Sequence, residues 1–375
     1  GSPLAVNIDV VKEMPGVTDV VSIFNGVAVV AQQYWQAKKA ADALEVDWEL
    51  PAPLKNYSSE GLRTEFATAL ETEAGNDVEQ LGEGMAGLEA ATTVVEATYW
   101  APYLAHATME PMNCVVRIAD GQCEVWTGTQ SPGTARGLAA LQAGLPKRNV
   151  QIYSTFLGGG FGRRSAPDYV AEAVAIAVES DKTIQLVWSR EDDMRHGYYR
   201  CASLTRMSGG LDETGQLQTW AVKAVGPPTM PYALDDMLDS MLPAAMPDGM
   251  VDWMSKLGYG FFGDKVMDPP SVEGFLEDYE APNKQLDHVA KDPGLRLGFW
   301  RSVGHSFTGF FKESFMDELA LAAKRDPVEF RLAHTANNPR LTNVINKVAE
   351  VSNWGSASNR HQGFAAHTSF GTAVA

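Results

Sequence analysis

The sequence predicts an α+β chain of mixed sheets with packed helices, and three stretches carry that prediction. Residues 19–23 and 27–31 are β-rich runs that meet at Asn25-Gly26, a strong short-range hairpin signal. Residues 150–156 are β-rich and enter Gly158-Gly159-Gly160-Phe161-Gly162, after which 168–178 reads as a helix apolar nearly all round and 183–188 as another strand. Phe307, Phe310, Phe311, Phe315, Leu319 and Ala322 recur at helical spacing, with Glu313, Asp317 and Glu318 between them, the pattern of an amphipathic helix facing a core.

In chain order, residues 8–14 form a short helix ended by Pro15-Gly16, the hairpin follows, 34–44 is helical and 45–48 returns as a strand. Pro51-Ala52-Pro53 breaks the pattern and separates a small unit, 1–50, from the remainder, 51–375. Residues 60–90 are acidic and rich in Ala and Gly, as expected of helix and exposed loop. Strands are expected at 93–100, 113–118 and 122–126, the last two joined across Asp120-Gly121. Residues 226–292 read as irregular. Seven of the fourteen methionines lie from Met230 to Met267, beside Trp253, Tyr259, Phe261 and Phe262, and suit either a satellite core or a soft ligand funnel. Asp326-Pro327 opens a further helix.

At 375 residues the chain is long enough for two to three domains. Its 30 Lys+Arg against 47 Asp+Glu give a net charge of −17, and without a basic stripe this disfavours nucleic-acid binding. No apolar run reaches the roughly 18–20 residues of a membrane span, and Gly1-Ser2-Pro3 opens no secretory leader. Cys114, Cys123 and Cys201 make no disulfide framework or Cys-x-x-Cys pair and are expected as buried small hydrophobes. The seven histidines are dispersed without metal-ligand spacing, so zinc-enzyme chemistry loses weight, and the absence of Gly-x-Ser-x-Gly argues against a common hydrolase type.

Three segments suit a ligand site. The run Leu157 to Arg164 lets backbone N–H groups approach an anion or planar ligand, with Arg163 and Arg164 placed to clamp phosphate oxygens. It misses the dinucleotide fingerprint because Ser165 stands where Gly or Ala belongs, and a plain structural turn fits it nearly as well. Thr127-Gly128-Thr129-Gln130-Ser131-Pro132 puts the Gln130 amide at a strand end, where it is a donor for an oxo group, although Ser131 before Pro132 also suits a helix cap. Gly298 to Ser306 sets Arg301 beside an aromatic pair, for a ligand or for a structural salt bridge.

With these segments in this order, the chain resembles the molybdenum-binding subunit of the xanthine oxidase family, on its isoquinoline 1-oxidoreductase and periplasmic aldehyde dehydrogenase side. The matching stretches are residues 14–17, 26–31, 106–113 (His106-Ala107-Thr108-Met109-Glu110-Pro111-Met112-Asn113), 129–130, 157–164, 189–194, 298–306 and 326–331, almost end to end. The resemblance implies an a/b hammerhead over 1–50 and the first part of a molybdopterin-binding domain over 51–375. It implies molybdenum held by a pterin dithiolene, as the cytosine dinucleotide, with no protein ligand to the metal and no iron–sulfur cluster in this chain. Cofactor contacts fall by the same match on Gln130, Gly159, Gly160, Phe161, Gly162, Arg163 and Arg301.

The implied reaction is hydroxylation at an electron-poor carbon, with water as the oxygen source. Electrons pass to an iron–sulfur subunit, with a cytochrome as a further candidate partner, and the implied location is the periplasm. Two departures shape the substrate class: Arg163-Arg164-Ser165 stands where purine hydroxylases carry a glutamate, and Val303 where they carry an aromatic. An N-heterocycle or an aldehyde is therefore expected over a purine. The family's general base, a glutamate in a Gly-x-Gly-Glu context, has no counterpart here. The resemblance thus implies a piece of a longer subunit, inactive without its other half. A non-catalytic module binding a partner or nucleotide is the rival, and a nicotinamide-dependent dehydrogenase a distant third.

Overall fold

A computed structural model describes residues 2–229, 269–291, 294–356 and 361–375. The methionine-rich stretch Met230 to Met267 lies outside the described residues.

The first unit is built from strands β1 (Ser2–Val6), β2 (Val17–Ile23), β3 (Gly26–Ala31) and β4 (Val46–Glu49) and helices α1 (Ile8–Lys12) and α2 (Tyr34–Asp42). The hairpin forms as expected, with Ile23 opposite Gly26, and β4 pairs with β1, a strand the sequence pattern did not reveal. Val11, Val20 and Ala40 make its small core. Helix α3 (Ser59–Thr72) follows, capped by Ser58 accepting from Gly61 N–H at 3.0 Å, then strands β5 (Asn76–Leu81), β6 (Thr93–Ala101) and β7 (Leu104–Ala105).

The next layer is a four-stranded sheet made by β8 (Asn113–Ala119), β9 (Gln122–Thr127), β10 (Val150–Ser154) and β11 (Ile184–Val187), in the order β10-β9-β8-β11. Helix α4 (Pro132–Ala143) carries the crossover from β9 to β10, which are parallel. Helix α5 (Asp168–Ser180) packs Tyr169, Val170, Ala173, Val174 and Ala177 into this core and also meets Val21 of the hairpin. Burial on several sides accounts for its lack of a polar stripe. Asn25 Nδ2 donates to Glu172 Oε1 at 2.7 Å, joining the first unit to this helix.

Helix α6 (Arg190–His196) and β12 (Tyr199–Arg200), which pairs with β7, lead into β13 (Ser203–Leu211) and β14 (Leu217–Gly226). Beyond the short α7 (Pro269–Val272) lies β15 (Asn283–Ala290), so the expectation of irregular chain throughout 226–292 is corrected for this part. These strands form the largest sheet, β5-β15-β14-β13-β6. Its edge strand β6 matches the strand expected at 93–100, whereas β13 and β14 have no sequence signal because they are covered twice. Leu62, Phe66 and Leu70 of α3 pack on one face with Leu204, Val225 and Val289. Helix α8 (His305–Ala322) covers the other, where Phe311, Phe315 and Leu319 meet Met207, Trp220, Val222 and Leu286. A strand buried on both faces loses the polar–apolar alternation that announces it.

Helices α9 (Pro327–Ala333) and α10 (Pro339–Val351) and the hairpin β16 (His367–Ser369)–β17 (Thr372–Val374) close the described chain over a small core of Val328, Leu341, Ile345, Phe364 and Ala366. The three cysteines are buried, as expected. Among the described residues no helix is long and apolar enough to cross a membrane.

Candidate functional site

Because β9 and β10 are parallel, their carboxyl ends lie side by side, with Thr127 opposite Ser154, and the segments leaving them share one edge of the sheet. Open sheets place ligands at such carboxyl ends. The glycine run leaves β10 and Thr127–Ser131 leaves β9. They are joined where Gln130 Oε1 accepts from Gly162 N–H at 3.0 Å and Gln130 N–H donates to Arg164 O at 3.1 Å. Ser131 stands at the N-cap of α4 without capping it through its side chain; its N–H donates instead to Thr129 Oγ1 at 3.1 Å.

The run is shaped by close approach as much as by left-handed backbone. A Cβ on Gly160 would lie 2.4 Å from Gln130 Oε1, and one on Gly162, at φ +101°, would lie 1.7 Å from Phe299 O. Phe161 between them is left-handed at φ 55° and is 44% exposed. Strained non-glycine backbone of this kind persists where the surroundings over-determine it, and it gathers at ligand sites. Ser302 and Val303 are likewise left-handed, at φ 74° and 51°. Arg301 N–H donates to Phe161 O at 2.9 Å, so the glycine run and the 298–304 loop are locked together.

Gly158 N–H donates to Glu110 Oε2 at 2.6 Å and Gly162 N–H to Gln130. Between these tied groups, the N–H groups of Gly159, Gly160 and Phe161 find no acceptor among the described residues. Exposed Gln130 and Arg301 flank them, and the Arg301 guanidinium has no ion pair or hydrogen bond among the described residues. The same edge exposes Met109, Phe156 and Leu157.

The two arginines that end the run do not reach this edge, which corrects the expectation that Arg163 and Arg164 clamp phosphate oxygens. Arg163 is 1% exposed and forms a two-pronged pair with Asp168, at 2.8 and 3.0 Å. Burial works against its charge, and Asp168 outweighs it. Arg164, fully buried, donates to Gly159 O, Gly128 O and Glu110 O, each at 3.0 Å, and to Glu110 Oε2 at 2.9 Å. Its fork thus ties three segments into one frame.

Two members of this frame were quoted from the sequence only within a longer matching stretch. Glu110 meets Gly158, Arg164 and, through Oε1, Asn113 Nδ2 at 2.9 Å. Burial raises its carboxyl, but these three partners prevail and hold it below the usual range. His106 sets one ring nitrogen 2.9 Å from Phe299 O and the other 3.1 Å from Tyr198 O, and stacks on Trp300 with ring centres 4.8 Å apart. Burial lowers its pKa against the pull of both carbonyls. Each is brought to the glycine run by tertiary folding, so neither had a local spacing to announce it.

Comparison with known proteins places this edge in a family context. Residues 69–228 match the molybdopterin cofactor-binding domain, a span that holds Gln130, the glycine run and both arginines. The beta chain of the isoquinoline 1-oxidoreductase of Brevundimonas diminuta is 27% identical over 367 residues, covering 94% of this chain and 43% of that protein. A subunit of the nicotinate dehydrogenase of Pseudomonas putida is 28% identical, over 94% of this chain and 28% of its own length. The chain thus spans less than half the length of these curated relatives. In structure, the aldehyde oxidoreductase of Desulfovibrio gigas superposes with a TM-score of 0.67 at 17% identity, over 93% of this chain and 41% of that one, so the fold is shared. The resemblance read from the sequence therefore stands: the chain is similar, nearly end to end, to molybdenum-binding subunits of the xanthine oxidase family, and residues 69–228 match the molybdopterin cofactor-binding domain.

Proposed function

We propose that this chain is the cofactor-holding part of a molybdenum hydroxylase that oxidises an N-heterocycle or an aldehyde. The observation that carries the reading is the cradle of N–H groups from Gly159, Gly160 and Phe161, set between two tied amides and flanked by Gln130 and Arg301. A run of unpaired donors, two of them from glycines, fits an electron-rich, oxygen-bearing group at close range. Bound there, a molybdenum–pterin cofactor supplies oxidative hydroxylation with water as the oxygen source.

The chain's own residues then divide the work. Gln130 spends its Oε1 on Gly162 and keeps Nε2 as a donor. Arg301 supplies the cation for the cofactor's anionic part, a task the buried Arg163 and Arg164 do not perform. Glu110, Arg164 and His106 hold the loops in register. The general base comes from outside the segments matched here. We further assign the cofactor as the cytosine dinucleotide form, the electron acceptor as an iron–sulfur subunit with a cytochrome beyond it, and the location as the periplasm. All three rest on the resemblance, as does inactivity of this piece alone.

Molybdenum content measured by elemental mass spectrometry tests the reading, on chain purified from a host that makes the cofactor. About one molybdenum per chain is expected by the stoichiometry of a single cradle, with cytidine monophosphate released on hydrolysis. Chain free of both molybdenum and pterin overturns it.

A further inference from the structure

At the amino end of α8 lies a cluster of titratable groups that the site described above does not use. His305, the first residue of α8, and His367, the first of β16, are joined by a 2.9 Å contact from Nδ1 to Nε2. The segment after α7 closes over them. A Cβ on Gly274, at φ +94°, would lie 2.5 Å from His305 Nδ1 and 3.0 Å from His367 Cε1, so only glycine permits this approach. Glu273 Oε1 stands 3.4 Å from His305 Nε2, and Asp278 Oδ2 stands 3.6 Å from His367 Nδ1. Asp278 also pairs with the wholly buried Lys312 of α8 and accepts from Thr368 N–H at 3.1 Å. Next to it, Glu313 binds Arg331 and accepts from Ala366 N–H at 2.7 Å. The hairpin offers no charged group besides His367.

Two ring nitrogens 2.9 Å apart share one hydrogen. A hydrogen on each would set two donors face to face, so the intact pair has room for one hydrogen in that gap and not two. We propose that the His305–His367 pair is an acid-sensitive clasp, which ties the β16–β17 hairpin and the Glu273–Asp278 segment to the start of α8 and opens when both rings become protonated. Lys312 and the neighbouring ring oppose a proton on His367. Burial first, then Lys312 and His305, push His367 down to about 4 from 6.5, against the pull of Asp278. Held neutral while closed and free to protonate once open, His367 stabilises the closed clasp above about pH 6.5. That contribution falls away as the pH drops toward about 4. Because α8 begins directly after the 298–304 loop, opening frees the anchor of the Arg301 loop. Only this last consequence rests on the proposed function.

Hydrogen exchange read by mass spectrometry on the cofactor-free chain tests the clasp, with rates corrected for the intrinsic pH dependence. Peptides spanning 299–312 and 364–374 are expected to lose protection at least about tenfold between about pH 7.5 and pH 4.5, while β13–β14 stays protected. His367→Gln, which is neutral at every pH, is expected to remove that step. A flat wild-type profile, or the same step in H367Q, overturns the proposal. Where H367Q fails to fold, imidazole nitrogen shifts of the wild-type chain decide instead. One ring titrating near the ordinary value with the other held off supports the clasp, and two rings titrating independently near about 6.5 overturn it. Neither readout involves molybdenum, so failure of the cofactor reading leaves this test intact.

Discussion

Replacing Gly162 with valine is expected to abolish cofactor retention and to destabilise the chain. The backbone there sits at φ +101°, ψ −27°, a region a β-branched residue avoids at a cost of about 1–3 kcal/mol. Space forbids the substitution more strongly. The new Cβ would fall 1.7 Å from Phe299 O, and that carbonyl is already held by His106 at 2.9 Å. Relief requires the 298–304 loop to move away, which breaks the bond from Arg301 N–H to Phe161 O and parts the glycine run from the loop carrying the exposed cation. The obstacle is thus the protein's own main chain, before any ligand is considered. Gly144 supplies the control, since it is left-handed at φ 62° and a Cβ placed there would meet nothing within 4 Å. Gly144→Ala is expected to cost about 1 kcal/mol and to leave molybdenum content unchanged. Molybdenum per chain and the thermal midpoint, measured on both variants, give the answer; G162V with wild-type values of each would refute the account.

Much of the architecture is legible where the determining contacts are local. Asn25-Gly26 announces its hairpin, Asp120-Gly121 its own, and the glycine run marks the turn from β10 toward α5 within a few residues of chain. The inner strands of the central sheet escape because β13 and β14 are buried on both faces. Gly209, where a Cβ would meet Leu319 Cδ2 at 2.6 Å, occurs as a small residue because α8 presses on it there, an association no sequence window contains. The site divides in the same way. Gln130, Phe161, Gly162 and Arg301 gather at one edge as the motif order implied, whereas the tie from Glu110 to Arg164 crosses 54 residues and that from His305 to His367 crosses 62. Arginines following a glycine run look alike in sequence whether they face a ligand or the core. Only the position of Asp168 and Glu110 in the fold decides between the two.

That distinction has a measurable consequence at Arg163. If its guanidinium served a phosphate, Arg163→Met would lose cofactor at nearly unchanged stability. The structure predicts the opposite emphasis. The guanidinium meets Asp168 through two parallel bonds and Ala166 O through a third at 3.1 Å, and it lies 5.4 Å from the ring centres of both Trp188 and Tyr198. Removing it leaves the Asp168 carboxylate, 8% exposed, without its counter-charge and close to the buried Glu172. Breaking one side of a buried pair costs on the order of 3–5 kcal/mol, because the remaining charge stays buried and uncompensated. The helix position softens this slightly, since Asp168 opens α5 and faces its positive amino end. The double variant Arg163→Met with Asp168→Leu removes both charges at similar volume and is expected to regain most of the loss. Urea denaturation of the two variants and the parent measures the coupling directly. A single variant as stable as the parent, with molybdenum lost, would return Arg163 to the ligand; a destabilised single variant rescued by the second substitution fixes it as a strut beneath the glycine run.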